Sequence, residues 1–449
     1  MTSGNHAGHH IKATGDAKMR IDDIVTAVDV GTTKICTIIG RKSAQGDLQF
    51  LAHSVVPCDG LKKGNVTDVA ATALAIRSSV AEAAKRAQVT VKSAYIGVTG
   101  AHVSFENRRD KMTWAGERGV VTAEELARVP EAARSDSAEL DRRMIHAVPV
   151  SYSVDGLKGI RNPVGMHTSD LEVESHVVTG TASLIDKLVE AVERAEIGID
   201  ALVLEPLASS EAVLTREEKR RGAVVVDVGG GTTDIVAYSG GRIFFTAVLP
   251  VGGFQFTNDI CLTYNAPYAA AEDIKIRYAH TDLHAVRPTE EVTLPVIGQS
   301  SELKIPRREI CQLSRERAQE LARLVKLKLQ EGSLRRLSNM TLVLTGGTSG
   351  LPGLDDLFRL TLGINVRIGI PHGRGMIPDD LKAPAFATGV GILLWALDHP
   401  RTEASHDANG VRSRAARRNG SLVSRFFKQI KNVFPTHLFP VRQGRIQWR

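Results

Sequence analysis

The sequence predicts an α/β fold of two similar halves facing each other across a cleft, with a small α+β insertion in the first half. Two observations carry this. From Ile24 the chain reads IVTAVDVGTTKICTIIG, an apolar run, a Gly-Thr-Thr turn and a second apolar run. From Val224 the plan returns as VVVDVGGGTTDIVAY, which places Asp227 198 residues after Asp29. Each copy continues through a polar turn (43–47 and 239–242) into a third apolar run. Short apolar runs bounded by Gly and polar turns read as strands, and a repeated three-strand opening reads as a duplicated unit.

The remaining elements follow in order. Residues 1–21 are polar and lack the apolar core of a signal peptide or anchor; His6, His9 and His10 are open to a metal but sit in a polar tail. Residues 68–87 have helical spacing and SAYIGVTG (93–100) reads as a strand, followed by a polar segment to about Asp141. The strand-like IHAVPVSYSV and SHVVTGTAS flank the loop GLKGIRNPVGM, and the helix LIDKLVEAVERAEI leads into LVLEPLASSEAVL. In the second half AEDIKIRYA and SRERAQELARLVKLKLQEGS read as helices, MTLVLTGG as a strand and AFATGVGILLWAL as the last helix.

The expected division is therefore a first domain at 22–92 and 168–221, with 388–398 returning to it, and an insertion at 93–167. A second domain covers 222–387 with an outer unit at about 256–325. A linker at 399–420, an amphipathic segment at 421–434 and a basic tail at 435–449 complete the chain.

Composition excludes several classes. The apolar stretch at 389–397 is too short to span a bilayer. Cys36, Cys58, Cys261 and Cys311 are scattered without a metal-ligand spacing, which fits a reducing cytoplasm. The net charge is +7, yet residues 411–449 hold ten Arg or Lys and no Asp or Glu. The body is thus mildly acidic, and the basic charge belongs to the C-terminal tail.

The two Gly-Thr turns point to phosphate. Bare backbone N–H groups and small hydroxyls are donors to an anion, and a carboxylate at the end of each strand can hold Mg²⁺ through water. TGGTSGLPGL (345–354) also follows an apolar strand, where glycines let backbone approach a flat base or ribose or simply form a turn. Neither a G-x-x-x-x-G-K-[ST] nor a G-x-G-x-x-G motif is present.

In this order the three segments resemble the phosphate and adenosine loops of the actin, Hsp70 and hexokinase superfamily. The resemblance implies an actin-like two-domain ATPase fold with ATP and Mg²⁺ in the central cleft. It places Asp29 and Asp227 near the metal, and Gly31, Thr32, Thr33 and Lys34 with Gly229, Gly230, Gly231, Thr232 and Thr233 around the phosphates. Gly346, Gly347 and Thr348 would back the adenosine. Glu272 and Lys275 match a helix that reaches the ribose, or form an ordinary solvated pair. Glu205, in LEPLASS, is the candidate for orienting the water of a weak Mg-dependent hydrolysis.

Within that superfamily VDVGTTKIC, RNPVGM (161–166), LEPLASSEAVL, VVVDVGGGTTDIV and AEDIKIRY resemble the bacterial cell-division FtsA family over roughly residues 22–434. That family carries its own small subdomain between the phosphate loops. The resemblance implies self-assembly into filaments, tethering of the tubulin-like FtsZ to the inner membrane at the septum, and recruitment of later division proteins. FtsZ's C-terminal peptide would dock on the outer unit of the second half. Two features depart from the pattern: Thr348 and Ser349 stand where a third glycine and a small residue are usual, and 435–449 extends beyond the usual end.

The C-terminus tests this independently. Leu422, Val423, Phe426, Phe427, Ile430, Val433 and Phe434 fall within roughly a 140° arc of a helix, with Arg425, Lys428 and Lys431 opposite. A basic amphipathic helix after a flexible linker suits the anionic cytoplasmic face of a membrane. Docking on the protein's own surface or a partner groove is the alternative; nucleic acid would leave the apolar face without a role. Other readings of the whole chain are a small-molecule kinase of the same superfamily and a pilus-assembly actin-like ATPase. A kinase needs an aspartate base in a substrate pocket, which no motif here supplies.

Overall fold

The computed structural model describes residues 24–43, 47–113, 119–134, 141–332 and 340–399. The expected tails, the amphipathic segment and all but His399 of the linker lie outside the described residues.

The chain opens with antiparallel strands β1 (Ile24–Val30), β2 (Lys34–Lys42) and β3 (Leu48–Pro57). Five successive residues of β1 and six of β2 are buried, the signature of strands covered on both faces. A tight hairpin, β4 (Leu61–Lys62) and β5 (Asn65–Val66), leads to α1 (Val69–Ala87). Asp68 caps α1 by accepting the Ala71 N–H at 2.9 Å, and Gln88 ends it in the left-handed conformation. Strand β6 (Ser93–Val98) then pairs parallel to β1.

The insertion follows: β7 (Ser104–Lys111), α2 (Ala123–Ala127), α3 (Val129–Arg134), β8 (Arg142–Val154), β9 (Leu157–Ile160) and β10 (Leu171–Thr181). Its sheet runs β7-β10-β8-β9 over a separate core that includes Met112, Val121, Val129, Tyr152 and Val173. These limits differ from the expected 93–167. Residues 93–98 belong to the first domain's sheet, and 171–181 supply the insertion's central strand. The polar segment after residue 100 contains a strand as well. β7 is an edge strand carrying Arg108, Arg109 and Asp110, so its apolar alternation is faint.

Helix α4 (Ala182–Arg194), strand β11 (Gly198–Leu204) and helices α5 (Glu205–Val213) and α6 (Arg216–Arg221) complete the first half. The second half repeats the opening with β12 (Ala223–Val228), β13 (Thr233–Ser239) and β14 (Arg242–Leu249). Then come α7 (Gly253–Tyr264), α8 (Tyr268–Tyr278), β15 (Glu291–Pro295), β16 (Glu302–Pro306) and α9 (Arg307–Glu331). The chain ends with β17 (Thr341–Thr345), α10 (Leu354–Leu362), β18 (Asn365–Ile368) and α11 (Ala387–Asp398). An outer unit has its own core of Ile260, Ile274, Val292, Leu294, Ile305 and Ile310.

The duplication is complete at the level of topology. One sheet is ordered β11-β6-β1-β2-β3 and the other β18-β17-β12-β13-β14. In each, the opening strand pairs antiparallel with the next and parallel with the fourth. Helix α11 crosses back to the first half and packs on α5, so closely that a side chain on Gly391 would collide with the Ala208 carbonyl.

Candidate functional site

The two turns are built alike. Gly31 N–H donates to Lys34 O at 3.1 Å, and Gly229 N–H donates to Thr232 O at 2.9 Å. The equivalent tips are therefore Thr32-Thr33 and Gly230-Gly231. They face each other across the cleft: a Cβ on Gly230 would stand 2.6 Å from Thr33 Cγ2, and one on Gly231 2.8 Å from Thr32 Cγ2. One tip bears methyl groups and the other bears none, and this lets the two halves approach.

A cavity of about 840 Å³ opens beside these tips, lined by Thr32, Thr33, Lys34, Gly230, Gly231, Glu272, Lys275, Gly347 and Thr348. Nine expected site residues thus share one wall-to-wall space, although they span 317 positions of sequence. Gly31, Gly229, Thr232 and Gly346 stand behind that surface and shape it. Gly346 has φ +84°, and a Cβ there would collide with Asp227 Oδ1 and lie 2.6 Å from the Val228 carbonyl. Thr233 is turned away, its hydroxyl donating to Val251 O at 2.7 Å.

The third loop is tied to the second. Thr348 Oγ1 donates to Gly229 O at 2.9 Å, while Ser349 Oγ closes on Gly346 O at 2.7 Å. The departures from a third glycine and a small residue therefore act as hydrogen-bonding struts. On α8, Lys275 Nζ bonds Glu272 at 2.8 Å and Thr257 Oγ1 at 3.0 Å, and Glu272 also accepts the Thr257 hydroxyl. Lys34 Nζ reaches across to Ala385 O at 2.9 Å and lies 4.4 Å from the centre of the Phe386 ring.

Four buried carboxylates, none of them lining the cavity itself, form a floor beneath the loops: Asp29, Asp227, Asp234 and Glu205. Burial pushes Asp29 up to about 7, against the pull of Lys34 and with a further push from Asp227. Asp234 also rises to about 7, through burial and then Asp227, while the hydroxyls of Thr99 and Thr232 hold it back. Asp227 is raised by burial and moderated by hydrogen bonds from Thr388, whose Oγ1 donates at 2.9 Å, and Ser209. Glu205 is raised well above its ordinary value by burial, then by the neighbouring aspartates. Its Oε1 is buried with no hydrogen-bond partner among the described residues.

Such a floor is costly in isolation, because buried charge demands an opposite charge. Among the described residues, no three His, Cys, Asp or Glu side chains converge to hold a metal ion directly. Asp29 and Asp227 are of the chemistry that would hold a hydrated Mg²⁺ through water. Sequence reasoning missed Asp234, although it lay in the quoted stretch. The four-residue turn pairs Asp227 with Asp234 directly, so both point to one face of the sheet.

The fold has known counterparts. The chain has a TM-score of 0.60 and 20% identity to a solved PilM–PilN type IV pilus biogenesis complex, covering 84% of this chain and 99% of that one. It has a TM-score of 0.51 and 13% identity to MreB5 of Spiroplasma citri bound to ADP, over 85% and 98%. These likenesses and the duplicated sheets define the class, an actin-like two-domain α/β fold with an inserted α+β subdomain. A family model described as Cell division protein FtsA matches residues 224–391, and one described as the SHS2 domain inserted in FtsA matches residues 100–179. The Cell division protein FtsA of Pseudomonas aeruginosa is 32% identical over 394 residues, covering 88% of this chain and 94% of that protein. The chain belongs to the FtsA family.

Proposed function

We propose that this chain is an ATP-binding cell-division protein that ties FtsZ filaments to the cytoplasmic face of the inner membrane at the septum. It assembles with itself into filaments and recruits later division proteins. The observation that carries the nucleotide part is the meeting of the two turns, Thr32-Thr33 against Gly230-Gly231, at the edge of a cavity. Membership of the FtsA family supports the division role.

In this reading the N–H groups of the two loops hold the phosphates, Gly347 and Thr348 back the adenosine, and Glu272 and Lys275 meet the ribose. Mg²⁺ would neutralise phosphate charge, with Asp29 and Asp227 holding its waters. Glu205, buried at the cleft floor, orients the water for a slow hydrolysis. Residues 421–434 supply the membrane contact through Leu422, Val423, Phe426, Phe427, Ile430, Val433 and Phe434, with Arg425, Lys428 and Lys431 toward anionic lipid.

The test is co-pelleting with anionic liposomes, comparing the full chain with one truncated after Gly420, each with and without FtsZ and ATP. Loss of pelleting, and of FtsZ carried with it, on truncation supports the tether. A full chain that stays in solution under every condition overturns it.

A further inference from the structure

The cavity is lined by four cationic side chains, Lys34, Lys62, Lys63 and Lys275. Two are committed: Lys275 is bonded to Glu272 and Thr257, and Lys34 to the Ala385 carbonyl and the Phe386 ring. Lys62 and Lys63 are exposed and form no ion pair with a described residue. They stand on the β4–β5 hairpin, which no sequence motif singled out.

That hairpin is held against both phosphate loops. Gly64 N–H donates to Thr32 Oγ1 at 3.2 Å, and a Cβ on Gly64 would lie 3.2 Å from Thr232 Cγ2. Its base is fixed where the Thr67 and Asp68 N–H groups donate to the Gly60 carbonyl at 2.9 and 3.0 Å. Its tip is Lys63-Gly64 with φ +53° and +76°. Such a turn favours Asn-Gly, so the lysine occupies the first position against the backbone preference. An unfavourable residue at a strained tip beside a cleft points to use rather than packing.

We infer that Lys62 and Lys63 are the cations that take the terminal phosphate of a nucleoside triphosphate, and that the hairpin thereby distinguishes triphosphate from diphosphate. This rests on the nucleotide reading of the cleft. The first half carries the hairpin, whereas α8 and the loop at Gly346 belong to the second. A triphosphate therefore draws the lysines toward the loop tips, and a diphosphate leaves them without a partner.

The experiment measures affinity of the full chain for a fluorescent non-hydrolysable ATP analogue and for the matching ADP analogue, with Mg²⁺. The variants are Lys62→Gln, Lys63→Gln, Lys63→Asn and Lys62→Arg. Lys63→Asn removes the cation while suiting the turn, so its loss cannot be put down to a spoiled hairpin. The expected result is a loss of about tenfold in triphosphate affinity for each neutral variant. Diphosphate affinity stays within about twofold and Lys62→Arg retains most of the binding. Equal losses for both nucleotides, or no loss for either, overturn the assignment alone. A parent chain that binds neither analogue overturns the nucleotide reading, and the assignment with it.

Discussion

Thr33 and Gly230 meet tip to tip across the cleft, with the Thr33 methyl 2.6 Å from where a Cβ on Gly230 would be. The two residues come from duplicated turns, yet their side chains are complementary rather than alike. Bare backbone in VGGGTTD therefore serves two ends: in the proposed reading it offers N–H groups to an anion, and it makes room for the facing threonines.

Gly231→Ala tests that second role. The added methyl would lie 2.8 and 2.9 Å from Thr32 Cγ2 and Cβ, so the loops must separate. Overpacking of this kind costs about 1–3 kcal/mol. The expected outcome is at least a tenfold loss of nucleotide affinity by fluorescence titration. Thr32→Gly in the same chain, by removing the opposing side chain whose Oγ1 would lie nearest the added methyl, restores part of it.

Thr348→Val removes the hydroxyl that bonds Gly229 O and keeps the shape. The cost is about 1 kcal/mol, since the carbonyl loses one of its two donors and keeps the Gly253 N–H at 2.9 Å. The third loop then loosens from the second, and nucleotide affinity falls about fivefold with the thermal midpoint lowered by a few degrees. Thr348→Ser is expected to behave as the parent in both measurements.

Much of this was legible in sequence because the halves repeat their loudest signals, buried apolar strands and Gly-Thr turns. Asp29 and Asp227 fall at matching strand ends, and both turns close with the same four-residue bond. What stayed hidden was set by distant pairing. β6 joins the first domain through β1, and β10 joins the insertion through β7 and β8, neither of which local pattern encodes. The β4–β5 strands are two residues each, too short for periodicity, so the placement of Lys62 and Lys63 had no local signal.

His176 predicts a pH response at the seam between the insertion and the second half. Its Nδ1 donates to Asn107 Oδ1 at 2.7 Å, an orientation set by Asn107 Nδ2 donating to Phe244 O, and its Nε2 accepts from Thr246 Oγ1 at 3.0 Å. The ring is neutral in this arrangement, and burial pushes it down to about 4 from the ordinary 6.5. The unfolded chain takes up the proton first. Stability from this group is therefore complete above about pH 6.5 and is lost as pH falls toward 4, at about 1.4 kcal/mol per pH unit. Denaturant titrations of the parent and His176→Gln between pH 7 and pH 4.5 are expected to converge as the pH falls.

In the proposed reading Glu205 serves a water rather than the packing of the fold. It opens α5 directly after β11, its Oε1 has no described partner, and Gly97 approaches so closely that a Cβ there would lie 3.2 Å from that oxygen. A carboxylate retained for packing would have found a donor, because an unsatisfied buried oxygen destabilises the fold. Glu205→Gln keeps the shape and removes an ionisable carboxyl that burial beside Asp29, Asp227 and Asp234 disfavours in its charged form, so the nucleotide-free chain is expected to be at least as stable as the parent. Nucleotide affinity should stay within a few fold, while single-turnover hydrolysis falls by about 10²-fold. Unchanged hydrolysis would remove Glu205 from the chemistry and leave its orphaned oxygen as a feature of the floor alone.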